Sequence, residues 1–296
     1  MNGIVNIYKE AGFTSFDVVA KMRGILKEKK IGHTGTLDPD ATGVLPVCIG
    51  NGTKLVELFT DHEKEYIAEL LLGVETDTQD TSGRILAQKP VHATEKGVRQ
   101  VIAGFVGDYM QIPPMYSAVK VNGKKLYELA REGREIERQP RPVHFDAIEV
   151  LEMKLPVVKI RVVCSKGTYI RTLCHDIGQK LGCGGAMQSL LRTRVGGFTL
   201  ETAITLEELE RYRDMGKLSQ VVLSPDVVFM HMPEVHAMEQ HCRFLDNGNA
   251  IFPNMLVNPP FFKDGEQVRM YGNGRFYGIY RFVERDRRLK PVKMFL

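Results

Sequence analysis

The stretch Val158–Leu181, VKIRVVCSKGTYIRTLCHDIGQKL, changes its hydrophobic period at its middle. Val158, Ile160, Val162 and Cys164 alternate with Lys159 and Arg161, the period of two of a strand with one buried face. Beyond Ser165–Gly167 the apolar residues Ile170, Leu173, Cys174, Ile177 and Leu181 recur at helical spacing. A second strand is expected at Tyr66–Leu72, which is apolar except for Glu69. Ser15 is placed to cap a helix from about Asp17 to Leu26, with Val18, Val19, Met22, Ile25 and Leu26 on one face. Thr94 starts another, burying Val98, Val101, Ile102 and Phe105, and Thr205 with Glu208 has capping-box spacing for a third. Strands and helices alternate without a βαβ rhythm. That pattern indicates an α+β fold, a mixed and largely antiparallel sheet flanked by helices.

The tail from about residue 230 reads differently. Asn258, Pro259 and Pro260 precede a strand expected at Gln267–Tyr271, the turn Gly272-Asn273-Gly274, and a strand at Phe276–Val283. Asn-Gly between two such runs is a strong hairpin signal. A small all-β module of about 65 residues attached to a larger core agrees with ordinary domain sizes.

The chain has 296 residues, 43% hydrophobic and 26% charged, which excludes a disordered polymer. A chain of this length buries roughly 75% of its unfolded surface and needs no disulfide or structural metal. Cysteines at 48, 164, 174, 183 and 242 form no C-x-x-C pair and read as reduced thiols of a cytoplasmic protein. No apolar run approaches the ~18 residues of a membrane span, and the opening MNGIVNIYKE lacks a signal-peptide core.

The net charge of +4 conceals strong segregation. Residues 21–30 carry a local +4, residues 159–194 a local +6, residues 120–143 a local +3 and residues 281–293 a local +4, whereas residues 61–80 hold seven acids and only Lys64. Such a distribution permits a basic face for a phosphate backbone, although charge runs are more often simply solvated.

The densest chemical signal is GHTGTLDPDATG, Gly32–Gly43. Three glycines, a proline and two aspartates impose an unusual backbone path, and Pro39 holds Asp38 extended. A carboxylate fixed there serves as nucleophile or base; in a structural role it forms an Asx turn or caps a helix. Asp40 suits the cap role better than Asp38, because Ala41 and Thr42 follow it. Arg171 falls in the first turn of its helix, where a cation opposes the macrodipole. Opposite a carboxylate it would sit more comfortably, depressing that acid's pKa and keeping it ionised. Zinc-deaminase spacing, EF-hand spacing in ETDTQDTSG (Glu75–Gly83), a Walker loop and G-x-G-x-x-G are all absent. Neither a metal nor a nucleotide cofactor is indicated.

Four segments together carry a family resemblance: GHTGTLDPDATGVLPVCIG (Gly32–Gly50), KEYIAELLLGVETDTQDTSG (Lys64–Gly83), QIPPMYSAVKVNGKKLYELAREG (Gln111–Gly133) and CSKGTYIRTLCHDIGQKLGCGG (Cys164–Gly185). In order and spacing, with KEAGFTSFDVV before them and SLLRTRVGGF after, they resemble the motifs of the TruB-type tRNA pseudouridine synthases along nearly the whole chain. The resemblance implies the pseudouridine synthase fold over residues 1–228, with a tRNA-gripping insertion at about 111–143. It also implies a PUA-like RNA-binding domain over residues 229–296. The implied activity is cofactor-free isomerisation of uridine 55 in the T loop of tRNA, by base flipping, in a monomer with no obligate protein partner.

By the same resemblance Asp38 is the catalytic aspartate acting at the ribose. Tyr66 stacks on the target base and is a candidate for removing the C5 proton, and Arg171 pairs with the aspartate. His33 fills the space left by the flipped nucleotide, Tyr169 and Leu190 belong to the substrate pocket, and Lys9 lies near the site. Three positions depart from the family pattern: Glu10 stands for a usual proline, and Ala186 and Leu191 stand where His and one of two paired arginines are common. Two other readings share these motifs, a guide-RNA-dependent synthase of ribosomal RNA and a non-catalytic RNA-binding or tRNA-folding protein. The insertion argues against the first, and the intact Asp38, Tyr66 and Arg171 set against the second.

Overall fold

The structure, a computed structural model, describes residues 1–60, 62–121 and 123–296. The first half of the chain runs β1 (Gly3–Lys9), α1 (Ser15–Leu26), β2 (Ile31–His33), β3 (Thr42–Ile49), α2 (Val56–Thr60), β4 (Lys64–Leu72), β5 (Val74–Thr76), β6 (Ile85–Gln88), α3 (Glu95–Ala103) and β7 (Gly107–Gln111). It continues with β8 (Lys120–Val121), β9 (Lys124–Lys125), α4 (Leu126–Arg131), β10 (Arg141–Lys154), β11 (Val157–Cys164), α5 (Ile170–Lys180), β12 (Gly185–Val195), β13 (Phe198–Thr199) and α6 (Leu206–Asp214). The tail adds β14 (Glu234–His236), α7 (Cys242–Asp246), β15 (Gln267–Gly272), β16 (Arg275–Val283) and β17 (Arg288–Met294).

A nine-stranded sheet in the order β1-β3-β12-β4-β11-β10-β7, with β2 and β13 at its side, forms the main body. All its pairings are antiparallel except β12 with β3. The α+β expectation therefore holds. Alternation decides which face of the sheet is covered. Tyr66, Ala68, Leu70 and Leu72 of β4 and Val158, Ile160, Val162 and Cys164 of β11 point into one core, against Ile170, Leu173, Cys174 and Ile177 of α5 and Val98 and Ile102 of α3. Each such side chain contributes roughly 1.5–3 kcal/mol when fully buried. The opposite face carries cross-strand ion pairs, Arg161 to Glu65 (2.7 Å) and to Glu149 (3.0 Å) and Lys159 to Glu69 (3.7 Å), which keeps it compatible with water.

A second core packs α1 and α6 on β1 and β3. Helix α1 begins two residues earlier than expected, and its cap is Thr14 rather than Ser15: Thr14 and Asp17 form a complete capping box. The reason is that Ser15 is engaged elsewhere, as an anchor for the loop before β3. The caps Thr94 and Thr205 are as read from the sequence. In the tail, Asn273 (φ 49°) and Gly274 (φ 70°) make the tight turn between β15 and β16, within a separate four-stranded sheet β14-β15-β16-β17. This small sheet has its own core and also meets the main body, where Ile279 and Phe295 pack with Ile4, Val44 and Phe59.

Candidate active site

Loop 34–41 joins β2 to β3 without regular structure, and its path is fixed by bonds from three different elements. The Lys9 ammonium, at the end of β1 and fully buried, donates to the carbonyls of Pro39 (2.9 Å), Phe13 (2.6 Å) and Glu10 (3.0 Å). The Leu37 amide donates to Ser15 Oγ at 2.9 Å. From β12, buried Arg192 donates to the carbonyls of Val44 (2.7 Å), Gly35 (3.3 Å) and Thr36 (3.5 Å). The amide of Ala41 donates to the Asp38 carbonyl at 3.1 Å, so Asp38-Pro39-Asp40-Ala41 is a β-turn with proline at its second position.

Asp40 therefore caps no helix, contrary to the sequence expectation, because a strand follows the turn. Gly43 (φ +108°) is the reason: a Cβ there would lie 2.2 Å from the Arg192 carbonyl of the adjoining strand. The close pairing of Arg192 with Gly43 draws the chain after Asp40 into the sheet.

The turn presents Asp38 to a cleft of about 670 Å³. Tyr66, Asp80, Tyr169, Arg171 and Leu190 also line it. Arg171, in the first turn of α5, sends Nη2 to Asp38 Oδ1 at 3.2 Å and to the Tyr116 carbonyl at 2.6 Å, while Nη1 stands 3.7 Å from Asp80 Oδ2. The partner that its position called for is present, and a second carboxylate accompanies it. Asp80 is itself held, since Oδ1 accepts from Thr78 Oγ1 (2.7 Å), Ser82 Oγ (2.6 Å) and the Ser82 amide (3.1 Å).

Tyr66 stands on β4 directly opposite Arg192 of β12, and Leu190 opposite Ala68. Together with Met187 they supply an apolar wall suited to a flat ring. Tyr169, just before α5, is tied to the end of β7 by two bonds: its amide donates to Gln111 Oε1 (2.8 Å) and its carbonyl accepts from Gln111 Nε2 (3.0 Å). Residues 112–140, between β7 and β10, build a small core on Met115, Leu126 and Leu129. They also bring Tyr116, Tyr127 and Arg131 to the cleft rim.

Burial raises the Asp38 carboxyl above its ordinary range. Arg171 opposes this, Asp80 reinforces it, Lys9 opposes and Asp40 reinforces, with a net upward result. This corrects the expectation that Arg171 would leave the acid depressed. The side chain is still 35% exposed, so cleft water limits the effect. The Tyr66 phenol is likewise pushed up by burial, with Arg192 pulling it down. Lys9 is lowered to about 8 by burial, against the attraction of Asp38 and Asp40.

The sequence-derived set does not converge completely. Asp38, Tyr66, Tyr169, Arg171 and Leu190 share the cleft. Lys9 lies behind the loop as a clamp. His33 is not part of the cleft wall, which begins at Thr34; its Nδ1 is buried with no hydrogen-bond partner among the described residues. Of the departures, Ala186 is fully buried and Leu191 is absent from the cleft wall, whereas Glu10 contributes a carbonyl to the Lys9 clamp.

Sequence reasoning missed Asp80, Gln111, Tyr116 and the structural part of Arg192. Asp80 had a usable signal, hydroxyl residues two before and two after a carboxylate, the pattern of a side chain being fixed. Three buried atoms of cleft residues, Thr34 Oγ1, Ser117 Oγ and Arg171 Nε, have no hydrogen-bond partner among the described residues. Among the described residues no cluster of three or more His, Cys, Asp or Glu is placed to hold a metal ion.

Two family signatures match the chain: "TruB family pseudouridylate synthase (N terminal domain)" over residues 23–170 and "tRNA pseudouridylate synthase B C-terminal domain" over residues 171–229. The chain is 52% identical to the tRNA pseudouridine synthase B of Lachnoclostridium phytofermentans, with all of both chains covered. It is 47% identical to that of Alkaliphilus oremlandii, over 99% of this chain and 97% of the relative. Among solved structures, one described as an H/ACA RNP bound to a substrate RNA containing 2'-deoxyuridine aligns with a TM-score of 0.71 and 26% identity. A Cbf5-Nop10-Gar1 complex aligns with a TM-score of 0.70 and 28% identity. Each alignment covers 99% of this chain and 85% of the other.

Proposed function

The chain belongs to the TruB family of tRNA pseudouridine synthases, which are isomerases, and from that premise we propose that its substrate is uridine 55 in the T loop of tRNA. The observation that carries this reading is the Asp38–Arg171 pair, held on a clamped loop in a cleft whose apolar wall is Tyr66 and Leu190. Uridine in a folded loop must be unstacked before it reacts, at a cost of about a few kcal/mol. Stacking on an aromatic ring offsets about 1–3 kcal/mol of that, and Tyr66 provides the ring.

In this reading Asp38 acts at the ribose while the C1′–N1 bond breaks, and Arg171 orients the carboxylate. The freed uracil is uncharged and must be kept while it turns, which the apolar wall and Tyr169 serve. C5 then bonds to C1′, and Tyr66 takes the C5 proton. His33, one residue before the cleft wall, occupies the space vacated by the flipped nucleotide. The segment at about 111–143 grips the T arm through its basic residues, and residues 229–296 form a PUA-like RNA-binding domain. The two carboxylates and the guanidinium supply the polar chemistry of the site without a cofactor.

Incubating the purified protein with a T-arm transcript and no added cofactor, then mapping pseudouridine, tests the proposal. Product at the equivalent of position 55 is expected. Product only at another uridine, or only with a guide RNA, overturns it.

A further inference from the structure

Arg192 is 1% exposed, and among the described residues no carboxylate comes within ion-pair distance of it. An interior cation lacking an opposite charge is costly, and three backbone carbonyls, Gly35 and Thr36 of the Asp38 loop and Val44 of β3, solvate it only as dipoles. The other polar group against it is the phenol of Tyr66, its directly opposite partner in the β12–β4 register and therefore on the same face of the sheet, and the phenol and guanidinium interact electrostatically. Tyr66 is itself buried and is the one tyrosine that faces the cleft from the sheet.

We propose that Arg192 is a positioning residue for Tyr66: its guanidinium N–H groups hold the phenol oxygen and supply the counter-charge when that oxygen becomes a phenolate. The inference rests on the reaction proposed above and deepens it. There the C1′–N1 electron pair goes to the base, C5–C1′ forms, and the C5–H bond breaks with its electrons retained by the ring. The phenol of Tyr66 first releases its proton to solvent; the C5 proton then passes to the phenolate, restoring the phenol, and N1 takes a proton from water, whose hydroxide is neutralised by the proton first released, so the product is an isomer of the substrate. A buried phenolate beside Asp38 would be repelled; beside Arg192 it completes an ion pair that the resting site lacks. The direction in which Arg192 moves the phenol agrees, since it opposes the effect of burial. Arg192 thus links the base at the ring to the loop that aims the carboxylate at the ribose.

The test places 3,5-difluorotyrosine at position 66 alone, in the wild-type, Arg192→Lys and Arg192→Met backgrounds, and follows ionisation by fluorine NMR without RNA. The phenol in Arg192→Met is expected to be at least about tenfold less acidic than in wild type, with Arg192→Lys in between. Equal acidity in wild type and Arg192→Met overturns the proposal. Should Arg192→Met fail to fold, the pH dependence of single-turnover tritium release from 5-tritiated uridine decides: its alkaline-rising limb must move to lower pH when Tyr66 carries fluorine. An unmoved limb overturns the proposal. Wild-type protein that forms no pseudouridine sinks the assigned reaction instead, while the NMR arm still reads the Arg192–Tyr66 pair.

Discussion

Arg171 Nη2 stands 3.2 Å from Asp38 Oδ1 on a side chain only 8% exposed. A hydrogen-bonded, mostly desolvated pair of this kind fixes direction as well as charge. Because the same nitrogen also donates to the Tyr116 carbonyl, the carboxylate is aimed jointly by α5 and by the segment after β7.

Asp38→Asn should abolish pseudouridine formation while leaving tRNA affinity within about tenfold. The amide keeps the shape but can neither attack nor accept a proton as a carboxylate does, and RNA binding depends mostly on backbone contacts. Tritium release together with filter binding measures both. Turnover close to wild type would remove Asp38 from the chemistry.

Asp80→Asn should move the acid limb of kcat/KM to lower pH. Asp38 works ionised, burial raises its pKa above the ordinary 3.8, and Asp80 adds to that rise. Activity is thus lost as pH falls through the raised value, and neutralising Asp80 lowers that value. A limb that stays in place would show that the Asp80 charge does not raise the Asp38 carboxyl.

Lys9→Met should destabilise the protein by about 1–3 kcal/mol, since it removes the shared donor of three part-buried carbonyls. The sign of the pH effect is separate. Lys9 is held at about 8 in the fold against 10.5 when free, so between those values the unfolded chain binds more protons and wild type gains stability as pH rises. The gap between wild type and Lys9→Met should therefore widen from pH 8 towards 10.5 in chemical denaturation. A constant gap would mean that Lys9 titrates normally in the fold.

The elements that could be read from the sequence were those in which a local period and a local cap agree, such as β11 into α5, the helices begun by Thr94 and Thr205, and the Asn273-Gly274 hairpin. Ser15 misled because its hydroxyl is used across 22 residues by the Leu37 amide, and Asp40 misled because the strand after it is imposed by Arg192, far along the chain. The site divides in the same way. Asp38 and Arg171 stand out by motif, whereas the third member, Asp80, lies in a stretch whose acids read as ordinary compensation for the basic runs. No local pattern announces that Arg192 is interior: strand alternation puts Arg194 on its face, and only the register shift between the two in the β12–β4 pairing separates them.

Removing residues 120–138 should weaken tRNA binding and flatten its dependence on salt. The segment carries a basic excess, packs as a satellite on Met115, Leu126 and Leu129, and overhangs the cleft with Tyr127 and Arg131. Every phosphate that the variant no longer neutralises lowers the slope of log affinity against log salt by about 0.7–0.9. The main sheet keeps its order, because β7 and β10 pair through Gly107–Gln111 and Arg141–Phe145, outside the deletion. Binding titrations from low to moderate salt, with circular dichroism to verify the sheet, measure the change. A deletion variant whose slope equals that of wild type would place the phosphate-binding residues elsewhere, on the basic runs at 21–30 or 281–293.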